Sequence, residues 1–232
     1  MCWTAPVSLA LGTAGVATAA YSHKKGESKY FTIPLLYFSL MEFLQFFSYF
    51  YVNDCALSVN TTLTFFSWVH MAFQPIFVNM FLFRTVPNFP SPRIRKMIYG
   101  ACLFFAGLLM IKLIPFYPQS VCTWGTICGP LWCTVSGNWH IAWSVPWYTF
   151  PIPGDAFVYY SLAAFGLPLL YGAWRGALVI VLSGPILAYF LTGGNWQEWP
   201  AVWCLYSVAI ILYGVVKRYL ADRSAIPKKA RE

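Results

Sequence analysis

Glu42 and Gln45 stand three residues apart in one apolar stretch, and Ser67, His70 and Gln74 follow at spacings of three and four in the next. On helices these spacings put each set on a single face. A carboxyl, an imidazole and two amides together are the groups that hold or relay a proton, hydrogen-bond a small ligand, or, with one more histidine, bind a metal. Lys112 adds a third titratable group in a later apolar stretch. Pro75 directly follows Gln74, and by lacking an N–H it frees a backbone carbonyl that can join such a pocket.

These residues are unusual because of what surrounds them. The chain is 59% hydrophobic, 20% aromatic and only 9% charged, against a charged fraction of about a quarter in soluble domains. This composition predicts an integral membrane protein. Seven stretches approach the roughly 17 to 25 apolar residues that cross a bilayer as a helix: Trp3 to Tyr21, Tyr30 to Val52, Thr61 to Phe83, Met97 to Phe116, Phe157 to Gly172, Ala177 to Leu191 and Pro200 to Val216. The fifth and sixth are short with a tight turn at Trp174-Arg175-Gly176, so a re-entrant hairpin is the alternative there. The expected fold class is all-α: a polytopic bundle of seven transmembrane helices over residues 1–216, an outer Trp- and Cys-rich loop over 117–155, and a basic cytoplasmic tail over 217–232.

Orientation follows from the cations. Lys24, Lys25, Lys29, Arg84, Arg93, Arg95, Lys96 and Arg175 fall in alternate loops, and Lys217, Arg218, Arg223, Lys228, Lys229 and Arg231 fill the tail. Seven spans place all of these on one side, leaving Asp54, Asp155 and Glu198 on the other, which predicts the N-terminus outside and the C-terminus inside. The net charge of +8 therefore points to anionic lipids at the inner face rather than to nucleic acid. Expected partners are the bilayer itself and other membrane proteins or further copies of this chain. The expected location is a plasma, inner or secretory-pathway membrane. The first stretch ends in Ala17-Thr18-Ala19-Ala20, like a signal-peptide cleavage site, but no cation precedes it and several follow, which favours a retained helix. Its Ala10, Ala14, Gly15 and Ala19 offer small residues for close helix packing.

Depth can be compared by counting from the inner end of each span. Glu42 is twelve residues above Tyr30 and His70 thirteen above Phe83, so at about 1.5 Å per residue both lie near the midplane. Lys112, fifteen above Met97, stands at the height of Gln45. The expectation is one shared polar pocket of Glu42, Gln45, His70, Gln74 and Lys112. Its readings are interhelical hydrogen bonding, a proton, ion or ligand site, or a metal-assisted enzyme with Glu42, His70 and His140 as weak ligand candidates; a structural subunit of a membrane complex, packing against partners through its aromatic faces, is the further alternative for the chain. Lys112 reaching up to the outer interface is the competing picture for that residue.

The long outer loop holds five tryptophans and reads either as a lid or as an aromatic belt at the interface. Gly137-Asn138-Trp139-His140 is echoed by Gly194-Asn195-Trp196-Gln197, both turn-forming. Cysteines on this side read first as disulfides: Cys122 with Cys128 or Cys133, and Cys2 with Cys55. A metal site on Cys122, Cys128, Cys133 and His140 is the alternative, without the close pair that structural zinc uses. Asn60-Thr61-Thr62 is a glycosylation sequon next to a span.

Seven spans with the N-terminus outside invite comparison with rhodopsins, but the last span has no lysine for a retinal Schiff base, so no cofactor is assigned. Alkaline ceramidases share the helix count, and their late paired-histidine motif is missing here. Met1-Cys2-Trp3, Glu42-Phe-Leu-Gln45 and His70-x3-Gln74-Pro75 resemble an uncharacterised family of seven-helix membrane proteins. That resemblance covers most of the chain and implies no activity.

Overall fold

The computed structural model describes residues 4–114, 128–148, 156–203, 212–217 and 219–220. It is mostly helical: α1 (Ala5–Lys24), α2 (Lys29–Ser48, extended by a 3-10 turn to Tyr51), α3 (Ser58–Leu82), α4 (Pro92–Ile111), α5 (Ala156–Tyr171), α6 (Trp174–Thr192) and the short α7 (Trp199–Val202). Residues 212–217 are again helical. Among the described residues four helices are long and apolar enough to cross a membrane: Lys29–Tyr51, Ser58–Leu82, Pro92–Ile111 and Trp174–Thr192. The helix Ala156–Tyr171 is apolar but shorter, while α1 has the length and is diluted by Gly, Ser and Thr.

Local chemistry explains the boundaries. Ser28 and Ser91 cap α2 and α4 by accepting the N–H groups of Tyr30 and Ile94, and Pro92 opens α4 where no N–H is needed. The α5–α6 turn lies at Gly172, whose φ of +83° suits glycine, two residues before the turn that the sequence suggests. Both α5 and α6 widen into one π turn, at Leu162–Gly166 and Leu182–Ile186.

The α1–α2 contact is made by Ser8, Gly12, Gly15, Ala19 and Ser22, all buried. Alternating spacings of four and three hold them on one face, and a Cβ on Gly12 would stand 3.3 Å from Glu42 Cβ. The expected stripe is corrected in part: Gly15 and Ala19 belong to it, whereas Ala10 and Ala14 are exposed. α3 touches α2, α4, α5 and the strand at Cys133–Ser136, and so forms the centre of the bundle. Gly214 packs against Phe31 and Thr18, bringing the last helical residues back to α1 and α2.

The two ends of the bundle differ in charge. At one end Arg84 pairs with Glu27 at 3.2 Å, Arg95 donates to Tyr30 Oη, and Gly176, beside Arg175, packs against Leu82 at the end of α3. At the other end, residues 128–148 fold onto the helices. The all-α expectation is corrected here, because β1 (Cys133–Ser136) and β2 (Ile141–Ser144) form an antiparallel hairpin pairing Cys133 with Ser144 and Ser136 with Ile141. Asn53, in the left-handed region at φ 67°, exchanges two hydrogen bonds with Ser136 and ties the α2–α3 loop to that hairpin. Trp143 and Trp147 are buried rather than forming a surface belt, and Trp147 meets Trp68 of α3 edge-on at 5.3 Å. Trp3, Trp124, Asp155 and the tail from Ala221 lie outside the described residues.

Candidate functional site

The groups expected in one pocket occupy separate surroundings. Tyr37 of α2 stacks on the His70 ring at 3.9 Å and 15°, stacks on Phe77 at 3.6 Å, and donates its hydroxyl to the His70 carbonyl at 2.5 Å. Glu42 lies five residues after Tyr37, roughly 140° further round the helix at about 100° per residue, and so faces α1 rather than His70. Its carboxyl is fully buried, with Ser8 beside it, yet neither oxygen completes a hydrogen bond of good geometry. Gln45, on the same face as Glu42, reaches the Ala201 carbonyl at 3.5 Å. Gln74 accepts from Tyr160 Oη of α5 at 2.7 Å.

Lys112 is further removed. It caps the C-terminal end of α4, with its ammonium 5.5 Å from the rings of both Trp147 and Tyr159, an arrangement in which ring quadrupoles stabilise a cation. Four of the groups expected in one pocket thus each meet different neighbours: His70 meets Tyr37, Gln45 the Ala201 carbonyl, Gln74 Tyr160, and Lys112 the rings of Trp147 and Tyr159.

What His70 does belong to is a groove of about 610 Å³ between α2 and α3. Leu40, Leu44 and Phe47 form one wall, Phe66, Val69 and Phe73 the other, and the stacked Tyr37 and His70 part of the floor. Helical spacings of three and four produce both walls. His70 is 8% exposed, and its Nε2 has no hydrogen-bond partner among the described residues. A groove of this size and lining accommodates an apolar molecule.

The polar chemistry that the structure satisfies in full sits at the hairpin end. Glu198 is 0% exposed, and its carboxylate accepts the backbone N–H groups of Asn138 at 2.9 Å, Trp139 at 2.5 Å and His140, with Asn195 Nδ2 at 3.2 Å as a fourth donor. Three consecutive N–H groups pointing at one anion form a nest. Gly137 must be glycine, since a Cβ would stand 2.5 Å from both Glu198 Cδ and the His140 carbonyl. The two Gly-Asn turns seen in the sequence are thus docked on each other. His140 accepts the Ile141 N–H on Nδ1 at 2.7 Å, with Tyr49 Oη 3.1 Å away, and burial pushes its pKa down to about 3.

Two asparagines complete the framework. Asn60 donates to the Tyr51 and Thr134 carbonyls at 2.6 and 3.0 Å and accepts the Thr134 N–H at 2.8 Å, fastening α3 to β1. Asn79 donates to the Pro75 and Ala163 carbonyls at 2.8 and 2.9 Å and accepts from Tyr171 Oη at 2.9 Å. In the π register the N–H of residue 168 would serve Ala163, but residue 168 is proline, and Asn79 supplies the missing donor. Neither asparagine stands out by spacing in the sequence. The local signals were an asparagine four residues after Pro75 and the sequon itself.

The cysteine pairing is also corrected. Cys55 bonds to Cys133, not to Cys2, because the α2–α3 loop runs alongside β1; Cys128 is disulfide-bonded as well. Cys2 and Cys122 lie outside the described residues. With Cys128 and Cys133 both oxidised, the spacing with His140 does not describe a thiolate metal site. Among the described residues no three of His, Cys, Asp and Glu converge, so Glu42, His70 and His140 do not form a common ligand set. Cys102 is buried and free.

A family model described as a family of unknown function (DUF5765) matches residues 6–222. No curated protein and no solved structure matches the chain.

Proposed function

The chain belongs to that family of unknown function, and from its own geometry we propose that it is a seven-helix integral membrane protein that takes a small apolar ligand from the bilayer into the α2–α3 groove. The observation that carries this reading is the groove itself, about 610 Å³ between two helices of membrane-crossing length, with the Tyr37–His70 stack in its floor. In lipid, apolar surface gives no drive for association, so such a groove selects its occupant by shape and aromatic contact. The basic end faces the cytoplasm and anionic lipids, and the end carrying the Cys55–Cys133 bridge faces the oxidising side. The N-terminus is then outside.

Glu42 supports a second, separate role. A fully buried carboxyl beside Ser8, whose oxygens complete no hydrogen bond of good geometry among the described residues, is a place for a proton rather than a clasp between helices. If Glu42 only fastened α1 to α2, Glu42→Gln would lower thermal stability and leave proton uptake by the reconstituted protein unchanged. A metal-assisted enzyme finds less support, because its candidate ligands do not meet.

The groove is tested in lipid nanodiscs with an apolar photoreactive diazirine. Label concentrated on Phe66, Val69 and Phe73, and reduced several-fold in Val69→Trp, is the expected result. Even labelling of every apolar helix face, unaffected by that substitution, overturns the reading.

A further inference from the structure

The groove does not end inside the span. Toward the disulfide end a second hollow of about 300 Å³ is lined by Thr61, Thr62, Phe65, Phe66 and Trp132. Phe66 lines both cavities, so the two adjoin at its ring. Trp132 is held in place by its neighbour Cys133, bonded to Cys55, by an edge-on contact with Phe65 at 5.6 Å, and by Thr61 Oγ1 donating to its carbonyl at 3.3 Å. Thr62 is exposed there.

From this continuity we infer that the groove's occupant is a long single-chain amphiphile with an uncharged, hydroxyl-bearing head. The head sits in the hollow at Thr61, Thr62 and Trp132, and the chain runs down the groove to Tyr37 and Phe77. This inference rests on the reading of the groove as a ligand site and adds the class of ligand.

Three features select that class. Among the described residues no Lys, Arg, Asp or Glu lines either cavity, so a charged head would lose hydration without gaining a counter-ion. The polar side chains of the hollow are two threonine hydroxyls, and these with an aromatic ring suit a hydroxylated, neutral group at the interface. The distance along α3 from Thr61 to Phe77 is sixteen residues, ~24 Å at 1.5 Å per residue, whereas half of the hydrocarbon core is only ~15 Å. A chain that fills the groove reaches past the midplane, and a short one leaves the Tyr37–Phe77 end vacant. The volume of the groove fits one chain rather than a two-chain lipid.

The test uses the whole protein in nanodiscs with three clickable photoreactive probes: a long-chain monoacylglycerol, a fatty acid of the same chain length, and a short-chain monoacylglycerol. The inference predicts that the long uncharged probe labels the groove and Trp132, just before β1, and that the other two label them several-fold less. Thr62→Lys is expected to shift the preference toward the fatty acid. Thr62→Trp is expected to abolish labelling by the monoacylglycerol while the apolar diazirine still labels Phe66, Val69 and Phe73, which also shows that the variant folds. Equal labelling by uncharged and anionic probes, no dependence on chain length, or full monoacylglycerol labelling of Thr62→Trp overturns the inference and leaves the groove reading standing. Failure of the apolar diazirine to label the wild-type groove removes both.

Discussion

Removing the Glu198 carboxylate exposes how much of the hairpin end depends on one buried anion. In Glu198→Ala the N–H groups of Asn138, Trp139 and His140 lose their common acceptor, and Asn195 Nδ2 loses its partner. A buried donor left unsatisfied costs about 1–3 kcal/mol, so three backbone donors give a nominal range of ~3–9 kcal/mol. Water entering the space of the missing side chain recovers part of this, and single substitutions rarely exceed ~5 kcal/mol. The expected loss is therefore ~3–5 kcal/mol, a fall in Tm of roughly 6–20 °C at the ~2–4 °C per kcal/mol of chains this size. Glu198→Gln keeps one carbonyl oxygen but brings an NH2 group toward the Asn138 N–H, so roughly half that loss is expected. Gly137→Ala, which drives a methyl into Glu198 and the His140 carbonyl, should resemble Glu198→Ala although it removes no charge. Thermal unfolding in detergent, followed by circular dichroism with the disulfides intact, measures all three. A Glu198→Ala protein within about 0.5 kcal/mol of wild type, the range of ordinary surface changes, would refute the idea that the nest holds the hairpin onto α7.

Other outcomes follow from the same framework. Asn79→Leu strands the Ala163 carbonyl and Tyr171 Oη and should cost ~2–4 kcal/mol, read as a lower Tm; Asn79→Asp, which keeps the acceptor for Tyr171 but not the donor for Ala163, should lie between. His140 binds a proton in the folded chain only near pH 3, whereas unfolded histidine does so near 6.5. The unfolded chain therefore holds the extra proton between these values, and stability must fall as pH drops through that window. The contribution is about 1.4 kcal/mol per pH unit, and comparing Tm against pH for wild type and His140→Asn should show the variant with the shallower slope. Asn60 has both ends of its amide committed to Tyr51, Thr64 and Thr134. Expression in a glycosylating host should accordingly give a protein whose gel mobility is unchanged by glycosidase.

Height was legible in the sequence, and direction was not. Counting residues along apolar spans needs only the helical rise, but whether Glu42 meets His70 depends on which way α2 is rotated, and close packing of Gly12 and Gly15 draws the Glu42 face toward α1. For Lys112 the deciding residue was Trp147, supplied by a segment 35 positions along the chain, which no local pattern announces. The partner of Cys55 was hidden for the same reason: β1 reaches that loop only because Asn60 and Asn53 hold it there. The echo of two Gly-Asn turns was visible, but its meaning lay in the docking of one on the other through Glu198. The mostly helical fold, the long apolar helices and the involvement of Cys55 and Cys133 in a disulfide followed directly from composition and spacing.

The π turns in α5 and α6 bear on how this chain can change over evolutionary time. A π turn is what results when one residue is inserted into an α-helix without moving its ends. Leu162–Gly166 and Leu182–Ile186 are therefore positions where a one-residue deletion would restore an ordinary helix and swing the following face by roughly 100°. In α5 such a deletion between Ala163 and Leu167 would put Pro168 four residues after Ala163, where it still offers no N–H, so the Ala163 carbonyl would go on needing the Asn79 donor. Family members lacking the extra residue at that position should then keep the asparagine wherever they keep the proline, and a sequence alignment that permits no single-residue gap there would misplace every contact made by the second half of the helix.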